Sequence, residues 1–365
     1  MAAPRTILHV FSTFAVGGPQ RRFATVSRAH DGYRHLIAAM DDNHAAAELL
    51  DDADHELVTL SMAKGRSLDI QNLLRLRRLL KEKKPDLLCT YNWGSIEAVI
   101  ANRLSLKGQI VPHIHFEDGF GPDESQHVQL PRRVAMRRLF LKNSRVIVPS
   151  RTLEKIAADV WGLRNVTFVP NGIDTALFYP VGAKPDATFT IGTVGALRPE
   201  KNFALLIKAF ADSGLAGRAR LIIAGDGSTL SQLTDIADKL GIAASVDFPG
   251  HIADPAELYR SFDVFAISSN TEQMPLSLLE AMASGLPVIA TDVGDIATML
   301  SYDNNPLVVP SGDMDGLASA MRQCFEDATL RQRIGVANRA KVLRDYQLQQ
   351  MIDAYGNLFS GSEVA

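Results

Sequence analysis

The sequence has few cysteines and little net charge, and each scarcity argues against a class of protein. Cys89 and Cys324 lie far apart without CxxC or metal-type spacing, which is typical of free thiols in a reducing compartment. The formal net charge is −3 and the pI is about 6.3, whereas nucleic-acid-binding domains usually carry a strong basic excess. The sequence therefore disfavours a disulfide scaffold, a cysteine metal centre and a nucleic-acid partner.

Long apolar runs are also missing. The run ILHVFSTFAV near the N-terminus follows Arg5 and is far shorter than a membrane span, so we interpret it as a first buried strand rather than a signal-peptide core. The sequence predicts a cytoplasmic protein. Because residues 1–174 carry 24 Lys and Arg against 19 Asp and Glu, this half could also make peripheral contact with anionic lipid at the inner face of the plasma membrane.

Apolar, strand-like runs alternate with amphipathic, helix-like runs along all 365 residues, a length that suits two domains. This alternation is typical of parallel sheets covered by helices on both faces. The sequence therefore predicts an α/β protein with two doubly wound, Rossmann-like domains facing across a cleft, joined by a Pro- and Gly-rich hinge at 170–187. The predicted strands are 7–14, 35–40, 56–60, 86–91, 109–115, 145–150 and 166–170, and then 188–195, 219–225, 245–250, 263–268, 287–292 and 306–310.

Two acids in the segment NTEQMPLSLLEAMASGLPVIATDVG (270–294) follow a predicted strand, where open α/β sheets bind their ligands. Glu272 lies in the predicted loop and Glu280 about one and a half turns into the predicted helix. Glu272 could accept hydrogen bonds from sugar hydroxyls, and Glu280 from the paired hydroxyls of a ribose. From spacing alone, two glutamates without function are an equally good interpretation.

The start of the same helix is a candidate phosphate site. Pro275 suits a first helical turn, and the backbone amides around it are predicted to point outward as free donors. A helix start of this kind favours an oxyanion by roughly 0.3 to 1 kcal/mol. The donor-binding candidates here are Gln273, Met274, Pro275 and Leu276.

Two cations stand in the segment GALRPEKN (195–202), which also follows a predicted strand. Arg198 and Lys201 lie at the mouth of the next predicted helix, where they would match a diphosphate, and a hydrogen bond to a charged group contributes on the order of 1.5 to 3 kcal/mol. The alternative is a solvated turn in which Glu200 merely pairs with Lys201.

Glycines follow two further predicted strands. Gly17 and Gly18 lie in AVGGPQ, and Gly225 and Gly227 in AGDG, where a missing side chain lets the backbone approach a ligand closely. Plain strand-to-helix turns explain them equally well. Neither segment is the GxGxxG fingerprint, so an NAD-dependent dehydrogenase is disfavoured.

The polar stretch PHIHFEDGFGPDE (112–124) also follows a strand and is long enough to be functional. We expect His113 and His115 to face opposite sides, with His115 directed towards the cleft. A metal site of His115, Glu117 and Asp118 receives little support because no recognised ligand spacing is present.

Two runs interleave basic and apolar residues, at 73–84 and 130–145. Such a helix could lie on anionic lipid with its basic face. A helix packed on a sheet with its basic face in solvent has the same pattern, and the sequence leaves both interpretations open.

Together and in this order, the motifs resemble those of glycosyltransferase family 4, whose members are retaining, nucleotide-sugar-dependent enzymes of GT-B fold. The resemblance covers nearly the whole chain, and its most specific part is E-x7-E. The matching segments are VGG (16–18), HFEDG (115–119), VPNGID (169–174), GALRPEKN (195–202), AGDG (224–227) and the pair Glu272 and Glu280 before GLPVIATDVG.

The resemblance implies a role for each matching position. Glu272 would hold hydroxyls of the donor sugar and Glu280 the ribose, while Lys201 would neutralise the diphosphate. His115 would be the active-site histidine near the donor sugar, and the amides of Gly17 and Gly18 would approach donor phosphate or acceptor. It also implies an acceptor-side domain at 1–172, a donor-binding domain at 173–345 and a C-terminal helix, within 346–365, that crosses back to the first domain.

The sequence departs from the family pattern at two places. Ala196 stands where members usually have arginine, and Arg198 would have to substitute from two residues further on. Gln273 and Met274 stand where Gly-Phe-Gly or similar is frequent, which could change the choice of donor.

The resulting prediction is a retaining glycosyltransferase that moves a sugar from a UDP- or GDP-sugar to a hydroxyl of a glycan or lipid-linked acceptor, in polysaccharide or glycolipid biosynthesis. The resemblance implies no cofactor and no metal. The alternatives are a nucleotide-sugar epimerase of the same fold and a non-catalytic nucleotide- or glycan-binding subunit. A retaining glycosidase is disfavoured by the surrounding phosphate-binding features.

Overall fold

The computed structural model describes residues 4–62, 68–104, 109–120, 123–182 and 188–361. The chain divides into two compact units, which are described separately below. Unit 1 comprises residues 1–170 and 351–365, and unit 2 comprises residues 171–350. Residues 183–187 of the predicted hinge lie outside the described part of the chain.

Unit 1 is built on a parallel sheet of short, apolar strands. Residues such as Val10, Leu88 and Val146 are fully buried in it, because both faces of the sheet are covered. The strands are β1 (Arg5–Phe11), β2 (Tyr33–Ala39), β3 (His55–Val58), β4 (Leu87–Tyr91), β5 (His113–Phe116), β6 (Arg145–Val148) and β7 (Val166–Phe168). Their order is β3-β2-β1-β4-β5-β6-β7, so the strand order reverses between β1 and β4.

Helices connect these strands. Two of them begin at capping side chains: Asp69 accepts from the Gln71 amide at 2.7 Å, and Ser150 accepts from the Leu153 amide at 3.1 Å. The helices are α1 (Gly18–Arg28), α2 (Ile70–Lys83), α3 (Ile96–Arg103), α4 (Pro131–Phe140) and α5 (Arg151–Asp159).

Unit 2 repeats this architecture. Its strands are β8 (Phe189–Val194), β9 (Ala219–Ala224), β10 (Val246–Asp247), β11 (Val264–Ile267), β12 (Val288–Thr291) and β13 (Val308–Val309), in the sheet order β10-β9-β8-β11-β12-β13. Its helices are α6 (Phe203–Asp212), α7 (Leu230–Lys239), α8 (Ala256–Ser261), α9 (Leu276–Ala283), α10 (Ile296–Met299), α11 (Met314–Glu326) and α12 (Ala328–Asp345). The order reverses between β8 and β11, which makes the loops after these two strands the expected ligand site.

The last helix, α13 (Leu348–Ser360), belongs to unit 1 from Met351 onward. The Tyr355 ring lies parallel to the Phe116 ring with centroids 5.4 Å apart, and the Phe359 carbonyl accepts from Arg5 at 2.9 Å. The apolar face of α13 therefore completes the core beside β5.

The predicted α/β fold with two doubly wound domains is confirmed, and each predicted strand is present with shifted bounds. The prediction is wrong at 109–112, because β5 begins only at His113. Asn102 binds the Ile110 and Val111 amides at 2.9 and 3.0 Å, and Pro112 has no N–H to donate to a neighbouring strand. Among the described residues, no helix is long and apolar enough to cross a membrane.

Two buried histidines should make unit 1 sensitive to acid. His35 binds His9 at 2.9 Å, and burial, aided by His30 and His55, lowers the pKa of His35 from 6.5 to about 4. Below pH 6.5 the unfolded chain binds a proton at His35, whereas the folded chain does so only near pH 4, so the free energy of unfolding decreases as the pH is lowered from 6.5 to 4. For His35 alone the decrease is about 3 kcal/mol between pH 7.5 and pH 4.

Urea unfolding at both pH values measures this loss. The exposed-residue variant His127→Gln should keep the full pH dependence, whereas His35→Gln should lose a large part of it. Equal pH dependence in the two variants would contradict the assignment to His35.

Candidate functional site

The candidate site of unit 2 lies at the reversal of strand order. The loop after β8 carries Lys201, and the loop after β11 carries Glu272. The Asn270 amide donates to the Glu200 carbonyl at 2.8 Å, and the Ser268 hydroxyl donates to the Lys201 carbonyl at 3.0 Å. The sheet order thus brings together two loops that lie about seventy residues apart in the sequence.

Lys201 and Glu272 form an ion pair in this place, with Nζ and Oε1 2.5 Å apart. The Ser269 hydroxyl donates to the same carboxylate oxygen at 2.8 Å. The side chains of Lys201 and Glu272 are 24% and 11% exposed, so solvent screens the pair only in part. An ammonium has three N–H donors and can hold a phosphate oxygen while it holds Glu272. The alternative considered from the sequence, a turn in which Glu200 pairs with Lys201, differs from the structure, where Lys201 pairs with Glu272.

Glu280 lies on α9, in the helix that begins just beyond Glu272. Tyr259 of α8 is fully buried and donates its hydroxyl proton to Glu280 Oε2 at 2.6 Å. Burial, reinforced by Glu280, raises the pKa of Tyr259 well above its usual range, so the phenol remains a donor. Glu280 is therefore oriented by an invariably protonated neighbour, and sequence reasoning did not identify Tyr259.

The start of α9 is fixed by unit 2 itself. Pro275 precedes the first helical residue, Leu276. The Leu278 amide donates to the Pro275 carbonyl at 3.2 Å, and the amides of Leu276 and Ser277 before it precede the first bond of the helix. The Asn171 side-chain amide donates to the Met274 carbonyl at 2.8 Å, and the Met274 side chain is buried in the core. The backbone amides at the start of α9 can therefore donate to a ligand, whereas the Met274 side chain packs in the core of unit 2. Gln273 is also buried, and its carbonyl accepts from the Asp295 amide at 3.2 Å.

The glycines of AGDG lie against the loop after β8. A Cβ on Gly225, where φ is +141°, would be 2.0 Å from the Gly195 carbonyl oxygen, and one on Gly227 would be 2.3 Å from the Leu197 carbonyl oxygen. The Leu197 amide donates to the Asp226 carbonyl at 2.8 Å. These glycines therefore let the two loops pack together, which holds the Lys201 segment in place.

Arg198 differs from Lys201 in its surroundings. Its side chain is 63% exposed, and its NH1 atom lies 4.0 Å from the Glu200 carboxylate. The structure does not bring Arg198 to the Lys201–Glu272 pair.

In unit 1, Gly17 and Gly18 begin α1 at the reversal of strand order. Gly17 has extended backbone (φ −167°), and a Cβ there would lie 2.9 Å from Gln20 Oε1. The Arg21 amide donates to the Gly17 carbonyl at 2.9 Å, which leaves the earlier first-turn amides without a partner within the helix.

The expectation that His113 and His115 face opposite sides is wrong. Residues two apart on a strand share a face, and both rings contact the Thr90 hydroxyl, at 2.8 Å from His113 Nε2 and 2.7 Å from His115 Nδ1. Both histidines are buried on this face.

A buried ionic group surrounds the end of β5. Arg137 of α4 donates through Nε to Glu117 Oε2 at 3.3 Å and through NH2 to Glu124 Oε2 at 3.1 Å, and its guanidinium lies 4.6 Å from the Trp161 ring centroid. Burial alone would raise the pKa of Glu117, but Arg137 and His115 outweigh it and hold the pKa below its usual value. The sequence signalled Arg137 only as one cation in a basic run.

The metal hypothesis gains no support. In the described ranges, no three His, Cys, Asp or Glu side chains are grouped so that they could hold a metal ion, and Asp118 pairs with Arg22 instead. The absence of a metal requirement stays a prediction.

Comparison with known families identifies both units. The model described as Glycosyltransferase Family 4 matches residues 16–177, and the model described as Glycosyl transferases group 1 matches residues 178–341. Together the two matches cover residues 16–341, which leaves β1 and α13 outside them.

Individual proteins show the same likeness. D-inositol 3-phosphate glycosyltransferase of Stackebrandtia nassauensis is 26% identical over 79% of this chain and 76% of its own. UDP-Gal:alpha-D-GlcNAc-diphosphoundecaprenol alpha-1,3-galactosyltransferase of Escherichia coli is 23% identical over 86% of this chain and 85% of its own. The crystal structure of Anabaena HepE with UDP and glucose has a TM-score of 0.80 at 18% identity, covering 98% of this chain and all of that one.

Proposed function

Because this chain is a family 4-like glycosyltransferase with a GT-B fold, we propose that it transfers a sugar from a UDP-sugar to a hydroxyl of a glycan or lipid-linked acceptor, with retention of the anomeric configuration. The observation that carries the proposal is the Lys201–Glu272 ion pair at the order reversal of unit 2, with Glu280 in the helix that follows Glu272. UDP is favoured over GDP since HepE binds UDP-glucose and the Escherichia coli relative uses UDP-Gal.

In the proposed arrangement each acid binds one end of the donor. Glu280, oriented by Tyr259, accepts the ribose hydroxyls, and Glu272 accepts hydroxyls of the sugar. Lys201 and the first-turn amides of α9 bind the diphosphate between them. The diphosphate gains negative charge as the sugar departs, and fixed donors stabilise that charge without reorganisation.

The proposed chemistry is a substitution at the anomeric carbon. The bond from this carbon to the phosphate oxygen breaks, and a bond to the acceptor oxygen forms on the same face. The acceptor proton passes to the departing phosphate oxygen. The protein's part is to bind, orient and stabilise charge, so these steps need no side chain as base and no metal.

Mutation of Glu280 tests the nucleotide assignment. A hydrogen bond to a charged group contributes on the order of 1.5 to 3 kcal/mol, so Glu280→Ala should weaken UDP binding by about 10- to 100-fold. Glu257→Ala, at an 87% exposed side chain of α8, is the matched control and should keep wild-type affinity. Calorimetric titration of UDP, GDP and NAD with chelator present measures this. If Glu280→Ala binds UDP as the wild type does, the ribose assignment is wrong.

A lipid-linked acceptor is consistent with the solvent face of α2. Ile70 and Leu74 are 72% and 58% exposed, and the exposed cations Arg75, Arg78 and Lys81 share the helix. We propose that this face contacts anionic membrane, with the apolar side chains at the interface and the cations on lipid phosphate.

Vesicle sedimentation tests the membrane proposal. Vesicles containing phosphatidylserine should bind the protein at low salt, because each cation near the anionic surface contributes about 1 kcal/mol of attraction. Neutral vesicles should bind less protein, and the double variant Arg75→Glu with Arg78→Glu should not sediment with the anionic vesicles. Equal retention on both vesicle types, or none at all, would refute the proposal.

A further inference from the structure

A line of polar side chains crosses unit 1 from the end of α3 to the end of β5. It is almost wholly buried, since every member from the second onward is at most 6% exposed. The members in order are Arg103, Ser144, His113, Thr90, His115 and Glu117, and successive polar atoms lie 3.4, 2.7, 2.8, 2.7 and 3.5 Å apart.

The two ends of this line have fixed roles. A guanidinium only donates hydrogen bonds, and a carboxylate only accepts them. Arg103 therefore donates to the Ser144 oxygen. At the other end Glu117 is ionised and accepts, since its Oε2 atom also accepts from Arg137 Nε at 3.3 Å.

The members between the ends have one proton each to donate. A hydroxyl carries one proton, and a neutral imidazole has one N–H and one acceptor nitrogen. Burial, with His115 and Arg103 nearby, lowers the pKa of His113 well below its usual value, so this ring is neutral at pH 7.

The Glu117 end sets the direction of every bond. An ionised Glu117 only accepts, so a neutral His115 ring carries its proton on Nε2, and its Nδ1 accepts from the Thr90 hydroxyl. Thr90 has then used its one proton and accepts from His113 Nε2–H, which leaves His113 Nδ1 to accept from the Ser144 hydroxyl. The opposite direction would set an unprotonated Nε2 of His115 against Glu117 as two acceptors.

We propose that this directed chain fixes His115 as the Nε2–H tautomer, with Thr90 and Glu117 as its positioning residues. The two bonds of the ring are unequal, at 2.7 Å to Thr90 and 3.5 Å to Glu117, so Nε2–H is the more weakly held. The His115 ring is 1% exposed, so in this tautomer it serves the buried Glu117 as a hydrogen-bond donor and does not act as a base through Nε2. The inference does not depend on the proposed function.

Nitrogen NMR of the full-length protein with ¹⁵N-labelled histidine tests the tautomer at neutral pH. A His115→Gln spectrum assigns the signals, because protonated and unprotonated ring nitrogens resonate far apart. We expect Nε2 of His115 to be protonated and Nδ1 to be unprotonated. A protonated Nδ1, or averaging of both nitrogens, overturns the proposal.

A matched pair of variants tests the positioning role. Thr90→Ser keeps the hydroxyl and should keep the single tautomer. Thr90→Val has the same shape without the hydroxyl, so His115 should no longer be held in a single tautomer. If His115 keeps its tautomer in Thr90→Val, Thr90 has no positioning role. Should Thr90→Val fail to fold, Glu117→Gln replaces the obligate acceptor with an amide that can donate, and should give mixed tautomers.

Failure of this inference can be told apart from failure of the proposed function. An inactive protein whose His115 carries the proton on Nε2 contradicts the transferase proposal alone. An active protein whose His115 carries it on Nδ1 contradicts this inference alone.

Discussion

Replacing Lys201 with methionine is expected to lower kcat by about 10²- to 10³-fold, the effect of removing one preorganised donor from a developing anion. The ammonium lies at the order reversal of unit 2 and is held by Glu272 at 2.5 Å, so it is in place before substrate arrives. Methionine keeps most of the apolar stem. Because the Lys201 side chain is 24% exposed, the fold should tolerate the change.

Steady-state rates at saturating donor, with a melting curve for each variant, measure this effect. Lys208→Met is the control, because Lys208 is an exposed lysine of the same loop–helix segment. Equal kcat for the two variants would contradict the role of Lys201. A large fall in the melting temperature of Lys201→Met would show a structural role instead.

Replacing Gly225 with alanine is expected to destabilise the protein by on the order of 3 kcal/mol. Its φ of +141° is one that L side chains rarely adopt, and the new Cβ would lie 2.0 Å from the Gly195 carbonyl oxygen. That contact is with backbone, which cannot rotate away. The loop that carries Lys201 would have to move, so activity should fall with stability.

Gly214→Ala separates the two causes of this loss. Gly214 also has positive φ, at +68°, but a Cβ added there would have no atom of the described chain within 4 Å apart from its own neighbours. The substitution should cost about 1 to 2 kcal/mol, the backbone cost alone. Denaturant unfolding of both variants makes the comparison, and equal destabilisation would show that the packing of Gly225 on Gly195 is unimportant.

The sequence predicted the strands of this fold and the positions of its motifs, because the spacing of apolar residues and the order of motifs along the chain are local properties. Glu272, Lys201 and Gly225 were each expected directly after a strand, and each lies there. The pairing of Lys201 with Glu272 was not predicted. It depends on β8 lying beside β11, and no local pattern reports which strands are neighbours.

The errors in unit 1 differ in origin. That His113 and His115 share one face of β5 follows from the two-residue period of a strand, so the sequence alone could have shown it. Their common partner, Thr90, comes from the neighbouring strand β4 and could not be predicted in this way. Arg137 finds Glu117 and Glu124 only because α4 packs over the end of β5. Such partners become visible with the tertiary structure, so their roles could not be read from spacing.

Retaining transfer is tested most directly by proton NMR of the products when the enzyme is mixed with UDP-glucose and other UDP- and GDP-sugars, with chelator and a panel of glycan and lipid-linked acceptors. We expect free UDP and a product whose anomeric configuration is that of the donor. An epimerised donor without a new glycosidic bond, a product of inverted configuration, or UDP binding without turnover of any donor would contradict this expectation.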